Sequence, residues 1–239
     1  MLVVTSVASL PCAEMPETHA VKAIFEYWGY DYRIHLDYLW HGWASKMDWL
    51  IEACHQFTEA THIMFVDARD VVVLCPPDEL MERWAKFNHP WVYGAEPFIW
   101  SPGSFQPEDY PTPPNAMYRY LNSGVSIGER EHMLKWLNKW TDNGKSPPVC
   151  LKGDQDWMAA RFIESYPDAI KLDTGCELFQ NMCGSLVGDT PNCVITPGNV
   201  YNRITNTHPA VAHFNGGDVI TEPERRGLWE HFSKNPVDG

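Results

Sequence analysis

The sequence predicts an α/β fold in which a mostly parallel sheet carries helices on both faces. Short apolar runs alternate along the chain with segments whose apolar residues recur at helical offsets, and this alternation is the signature of a layered α/β architecture. The most apolar stretch, HIMFV at 62–66, reads as a strand buried on both faces, as parallel sheets require. The 239 residues are 44% hydrophobic and 21% charged, enough to bury an ordinary core, and no internal repeat or low-complexity tract divides them. One domain over 1–239 is expected.

The elements follow in order. Met1 to Ser6 is a short apolar first strand; Val21, Ile24, Phe25 and Trp28 then mark a helix that Gly29 closes. Tyr32 to Leu36 reads as a strand. Met47, Leu50, Ile51, Cys54 and Phe57 form one apolar face of a second helix. After HIMFV come two acids, Asp67 and Asp70, then a helix through Leu80, Met81 and Trp84 and a strand from Trp91 to Glu96. A proline-rich loop, SPGSFQPEDYPTPPN, leads into a strand and turn from Leu121 to Glu129 and a helix through Met133, Leu134, Leu137 and Trp140. Long loops of this kind are more often functional than core. Asp154 to Ser165 is a helix, Ile170 to Asp173 a strand, and Val211 to Gly217 a late strand ending in a glycine turn. In such a fold the ligand belongs at the carboxyl ends of the strands.

Charge narrows the function. With 18 Lys plus Arg against 31 Asp plus Glu the net charge is −13, which makes nucleic acid an unsuitable partner. No stretch resembles an 18-residue uncharged apolar span, and the N-terminus lacks a basic leader, so a soluble, cytoplasmic protein without a transmembrane segment is expected. The 7 cysteines are scattered without a C-x-x-C pair and read as reduced thiols, with a bridge among Cys176, Cys183 and Cys193 left open.

Asp67 and Asp70 stand directly after the most apolar strand. Two carboxylates so close repel unless a cation lies between them, and hard divalent ions with oxygen ligands are the usual answer. A turn cap at Asp67 and an ion pair at Asp70 would also account for them. His213, in VAHFNGG at the other end of the chain, would complete an oxygen, oxygen, nitrogen set acceptable to manganese, although a lone strand histidine is more often a hydrogen-bonded core residue.

The series FVDARD, AEPFIW, YLNSGVSIG, GDQDW, LFQNMCG and HFNGG, in that order, resembles the glycosyltransferase domain of procollagen lysyl hydroxylases, and more loosely the glycogenin-like retaining transferases of the GT-A fold. The resemblance runs from Met1 to about Gly217. It implies a Rossmann-like GT-A sheet and an enzyme that moves a hexose from UDP-glucose or UDP-galactose to a hydroxyl acceptor, a sugar or a protein side chain, with manganese or magnesium held by Asp67, Asp70 and His213. By the same resemblance Thr5 and Ser6 match the nucleotide pocket, and Asn122, Ser123 and Gly124 lie beside the donor sugar. Asp154, Gln155 and Asp156 match the DQD motif near the reacting carbon, and Glu96 and Trp100 fall on the acceptor side. Plainer readings exist: a polar turn at 122–124, a helix N-terminus at 154–156, and a core tryptophan at 100.

The sequence also departs from that pattern. Where the relatives place a lysine after the final glycine turn it has GGDVITEPERR, with Asp218 near the position of the cation, so diphosphate binding falls to the metal, to the Gly216 and Gly217 amides, or to Lys46. Arg69 replaces an aromatic residue that can stack on uracil. The sequence ends soon after the last motif, so no hydroxylase half, no iron chemistry and no collagen acceptor are expected. The resemblance alone implies a mechanism that retains anomeric configuration, with the departing phosphate deprotonating the incoming hydroxyl. A metal-dependent nucleotide-sugar hydrolase and a catalytically weak UDP-sugar-binding module are the rival readings.

Overall fold

The structure, a computed structural model, describes residues 1–100, 104–141, 153–186, 190–216 and 221–234. The chain begins with β1 (Leu2–Ser9), α1 (Leu10–Ala13), α2 (Pro16–Tyr27), β2 (Tyr32–Asp37), α3 (Ala44–Gln56) and β3 (His62–Val66). It continues through β4 (Val71–Val73), α4 (Pro77–Ala85), β5 (Trp91–Glu96), β6 (Tyr120–Glu129), α5 (Arg130–Trp140), α6 (Asp154–Ser165) and β7 (Lys171–Asp173). Last come β8 (Phe179–Asn181), β9 (Cys193–Thr196), β10 (Asn199–Asn202), β11 (Val211–His213) and α7 (Thr221–Lys234).

Six strands form the central sheet in the order β2-β1-β3-β6-β5-β7. The β1–β2, β1–β3 and β5–β7 pairs are parallel, whereas β6 runs antiparallel to both β3 and β5. The expected mostly parallel α/β sheet is therefore present, with one reversed strand. Side chains alternate across it with period 2. Ile63, Phe65, Trp91 and Tyr93 face one core with Leu50 of α3, Trp136 of α5 and Phe162 of α6. Met64, Val66 and Val92 face the other, with Phe25 of α2, Leu80 of α4 and Leu228 of α7. Each such side chain, fully buried, contributes about 1.5–3 kcal/mol.

The first strand is longer than the sequence suggests: β1 continues to Ser9, because Ser6 and Thr5 find partners inside the sheet and its polar residues do not end it. α2 stops where expected; Gly29, at φ +77°, follows its C-cap Trp28 in a conformation open to glycine.

The apolar run after β3 does not continue the central sheet. It breaks at the Asp67 to Asp70 turn, and β4 joins a separate three-stranded sheet, β4-β11-β8. β11 lies antiparallel to β4, with His213 opposite Val71, and parallel to β8, with His213 beside Asn181. This small sheet presses on β5 at Gly94, where a Cβ would meet Val125 Cγ2 at 2.7 Å and Asn181 Nδ2 at 2.8 Å. The proline-rich loop is organised by buried Arg119, which donates to the carbonyls of Pro107, Tyr110, Thr112 and Pro114. Among the described residues six cysteines are unbridged, Cys176, Cys183 and Cys193 among them, and Cys150 lies outside them. No described helix is long and apolar enough to cross a membrane.

Candidate functional site

The reversed strand explains where the site forms. Because β6 is antiparallel to its neighbours, its first half lies at the same rim as the carboxyl ends of β3 and β5. Asp67 follows β3, Glu96 ends β5, and Asn122, Ser123 and Gly124 open β6, so all five meet at one edge. There they line a cavity of about 1010 Å³ together with Lys46, Asp70, Trp100, Asp154, Gln155, Asp156, His213 and Gly216.

Asp67, Asp70 and His213 do converge. His213 Nε2 stands 3.5 Å from Asp67 Oδ2 and 3.6 Å from Asp70 Oδ1, and one ligand atom from each residue lies within 4.8 Å of the others. The strand pairing brings them together: the Phe214 amide donates to the Asp70 carbonyl at 2.7 Å, and the Asp67 amide to the Gly124 carbonyl at 2.8 Å. The side-chain amide of Asn181 donates to the Ala95 carbonyl at 2.9 Å, which turns its Oδ1 toward His213 Nδ1 at 2.7 Å. Nδ1 therefore keeps its proton, and Nε2 faces the acids, the nitrogen that a metal-binding imidazole would offer.

That Nε2 is buried and lacks a hydrogen-bond partner, and Gly124 leaves the space beside it open: a Cβ there would come 2.2 Å from His213 Cε1 and 2.7 Å from Asp67 Oδ2. Two hard oxygens, one imidazole and an open cradle fit a divalent ion such as manganese or magnesium. Without one, burial disfavours the imidazolium, but Asp70 and Asp67 outweigh it and push His213 up to about 9. Burial likewise opposes the Asp67 charge, yet Lys46 and His213 hold it well below the usual carboxylate range.

Lys46, on the first turn of α3, is 6% exposed and bridges Asp67 at 2.6 Å and Asp154 at 3.1 Å. The sequence offers it as a diphosphate ligand; instead it is shared by two carboxylates and ties the metal side to α6. Burial pulls its pKa down, but the two acids outweigh it and keep the pKa above the ordinary lysine value.

Glu96 is 1% exposed, and among the described residues its hydrogen-bond partners are neutral amides. Three amides serve its carboxylate: Gln155 Nε2 at 2.5 Å, Asn215 Nδ2 at 2.9 Å and Asn122 Nδ2 at 3.3 Å. Burial pushes its pKa up to about 7, and those amides limit the rise. Gln155 also accepts from the Ser123 amide at 3.3 Å. Asp156 lines the cavity from the same first turn of α6 as Asp154. Trp100 is 56% exposed at the cavity mouth, so its core reading does not apply.

Thr5 and Ser6 are not brought to this cavity. The Thr5 hydroxyl donates to the Arg33 carbonyl and accepts from Trp49 Nε1, and Ser6 pairs with the Tyr32 hydroxyl at 2.6 Å. Both are interior to β1, whose carboxyl end is Ser9. Gly216 lines the cavity at φ +97°; Gly217 and Asp218 lie outside the described residues. Sequence reasoning passed over four residues. Asn181 and Asn215 sit inside the quoted LFQNMCG and HFNGG motifs, and Arg225 and Arg226, which also line the cavity from α7, end the quoted stretch GGDVITEPERR.

Among protein families, the PLOD GT domain matches residues 33–221. The chain belongs to that family. As a PLOD GT domain it is a glycosyltransferase-type α/β domain, and the order of motifs that resembled this family coincides with the residues gathered at the rim. An uncharacterized protein of Acanthamoeba polyphaga mimivirus is 29% identical over 203 residues, 83% of this chain and 40% of its own length. Procollagen-lysine,2-oxoglutarate 5-dioxygenase 1 of Rattus norvegicus is 30% identical over 182 residues, 73% of this chain but 24% of that protein. This chain thus spans less than half of these relatives. Among solved structures, a glycosyltransferase involved in the glycosylation of the major capsid of PBCV-1 covers 98% of this chain and 99% of its own, at 13% identity and a TM-score of 0.49.

Proposed function

We propose that this PLOD GT domain transfers a hexose, glucose or galactose, from its UDP carrier to a hydroxyl acceptor with retention of configuration. The observation that carries this reading is the buried, unpartnered His213 Nε2 aimed at Asp67 and Asp70 on the floor of a cavity large enough for a nucleotide sugar. Those three residues would hold manganese or magnesium. A divalent ion held there would supply charge compensation for the departing diphosphate.

The remaining residues divide the work. Asn122 and Gln155 orient one another and Glu96, and present amide groups suited to sugar hydroxyls. Asp154, fixed by Lys46, faces the donor sugar. Glu96 and Trp100 receive the acceptor, the aromatic face covering it while the carboxylate reads its hydroxyl. Lys46 occupies Asp67 and Asp154, and three amides occupy Glu96. This arrangement favours the departing phosphate oxygen over a protein carboxylate as the base for the acceptor proton, and with it a same-face transfer.

The test is a thermal melt with manganese and UDP. Wild type is expected to rise; Asp70→Asn, which removes a ligand whose partner among the described residues is His213, is expected to lose that rise, with an apo melt lowered by the loss of one acid facing the buried imidazole. Asp67 is a poorer choice because its removal also strands buried Lys46. A wild type indifferent to UDP plus manganese would remove the donor assignment. Product analysis with UDP-hexoses, with and without hydroxyl acceptors, then separates transfer from hydrolysis.

A further inference from the structure

We infer that the acceptor is a neutral oligosaccharide, and that the loop between β2 and α3 is the aromatic platform on which its sugar units lie. The inference rests on the transfer reading above and narrows its hydroxyl acceptor to one class. Along 38–43 four large apolar side chains meet solvent: Tyr38 is 71% exposed, Leu39 84%, Trp40 37% and Trp43 51%. Single exposed apolar residues are ordinary, but a contiguous group of them beside a cavity marks a binding surface. Trp43 also lines the cavity, so the group continues directly from the candidate site.

The loop is tied down on both sides of its tryptophans. The Leu39 amide donates to Asp37 Oδ1 at 2.8 Å, the His41 amide donates to Ser45 Oγ at 3.2 Å, and His41 Nε2 donates to Asp48 Oδ2 at 2.9 Å. Gly42, at φ +88°, makes the left-handed turn that delivers Trp43 to the N-cap of α3. The Lys46 ammonium lies 5.5 Å from the Trp43 ring centre and holds the indole at the cavity wall. Trp40 and Trp43 meet at 6.4 Å and 79°, so they do not stack on each other and ring surface stays open to a ligand.

The chemistry around those rings suits a sugar. Trp100 lines the same cavity, and β2 and β5 stand on either side of β3 and β6 in the sheet, so the two tryptophans come from opposite flanks of the Asp67 rim. The same wall carries Asp154, Gln155 and Asp156. A pyranose matches both features: its C–H face is slightly positive and sits on the negative face of an indole, while its hydroxyls donate to carboxylates and amides. A single hydroxylated side chain reaching the cavity leaves Tyr38, Leu39 and Trp40 bare; a chain of sugars running outward covers them. The net charge of −13, with Asp37 at the foot of the loop, repels anionic glycans and acidic lipid surfaces. A second copy of the chain would use about 20–30 residues a side, far more than this patch offers.

An array of neutral linear glucose and galactose oligosaccharides, from one unit to six, with hydroxyl-bearing peptides beside them, tests this on the donor-free chain. Retention on the oligosaccharides is expected, about tenfold stronger for three units than for one. Trp40→Ala should abolish that gain with length, and so should Leu39→Ala, a position too exposed to affect folding. Trp43→Ala should weaken every length about tenfold, and Trp43→Tyr should restore most of the loss because an aromatic face survives. If Trp43→Ala does not fold, Trp40→Ala and Leu39→Ala decide. Failure to bind any glycan, binding indifferent to length, or variants that bind like wild type overturns the platform. Preferential retention on the peptides overturns it too, as does a dimer in sedimentation that Trp40→Ala dissolves. The thermal melt with UDP and manganese reports the donor reading separately. A rise without glycan binding removes the platform alone; glycan binding without a rise removes the transfer reading and leaves a sugar-binding surface.

Discussion

A methyl group at Gly124 is the sharpest probe of the proposed ion site. The added Cβ would lie 2.2 Å from His213 Cε1, where ordinary contact begins at 3.4 Å, so the ring must retreat by about 1.2 Å. Metal sites tolerate displacements of about 0.2 Å. The imidazole has little room to yield, since it is 1% exposed and tied through Nδ1 to Asn181. Overpacking of this kind costs about 1–3 kcal/mol. An ion or nucleotide complex at a hundred times its Kd adds about 2.7 kcal/mol, or roughly 5–11 °C for a chain of this size. Wild type should therefore gain that increment with manganese and UDP; Gly124→Ala should melt lower and gain almost nothing. Gly128→Ala is the control: four residues along β6, its Cβ would strike Trp91 Cδ1 at 2.8 Å, far from the acids, so it should melt lower yet keep the full increment. A Gly124→Ala protein that retains the increment refutes the ion site as drawn.

Lys46→Met leaves the Asp67 and Asp154 carboxylates uncompensated and should cost about 3–5 kcal/mol in urea unfolding, less with manganese present, which would again offset Asp67; a neutral substitution would show that the bridge is not buried as described. Glu96 is raised from 4.5 to about 7 in the fold, so the folded state binds the extra proton and stability falls as pH rises from 4.5 through 7, by about 3 kcal/mol. In metal-free melts Glu96→Gln should reduce the fall between pH 6 and 7 and leave, below pH 6, the slope from Asp173, which burial pushes up to about 6; parallel profiles for the two proteins would count against it. Asn181→Asp places a second acceptor charge against His213 Nδ1, tightening the ring's hold on a proton, and Asn181→Ala frees the ring to turn; the alanine variant should lose manganese-dependent stabilisation, measured by the same melt.

Much of this site was legible as residues. Asp67, Asp70 and His213 were readable because acids after an apolar strand, and a histidine before a glycine turn, carry local chemistry that neighbours do not erase. Glu96, Asn122, Gln155 and Asp154 were readable through their motifs. Thr5 and Ser6 look like a strand end, as a polar pair in an apolar run does, while partners distant in sequence, Arg33, Trp49 and Tyr32, satisfy both hydroxyls inside the sheet. For Lys46 the charge was visible, but not the two carboxylates that share it.

Local patterning determined the α/β alternation, most element positions and the kinds of chemical group available, because periodicity and turn chemistry act over a few residues. Only the tertiary structure decided that β6 runs backwards, that β4 leaves the central sheet to pair with β11, and that α7 returns its arginines to the rim. Those outcomes depend on pairings between segments far apart in the chain, such as His213 opposite Val71 and beside Asn181. Register between distant strands leaves no trace in the spacing of either one, and here it is that register which turns three separated side chains into a site.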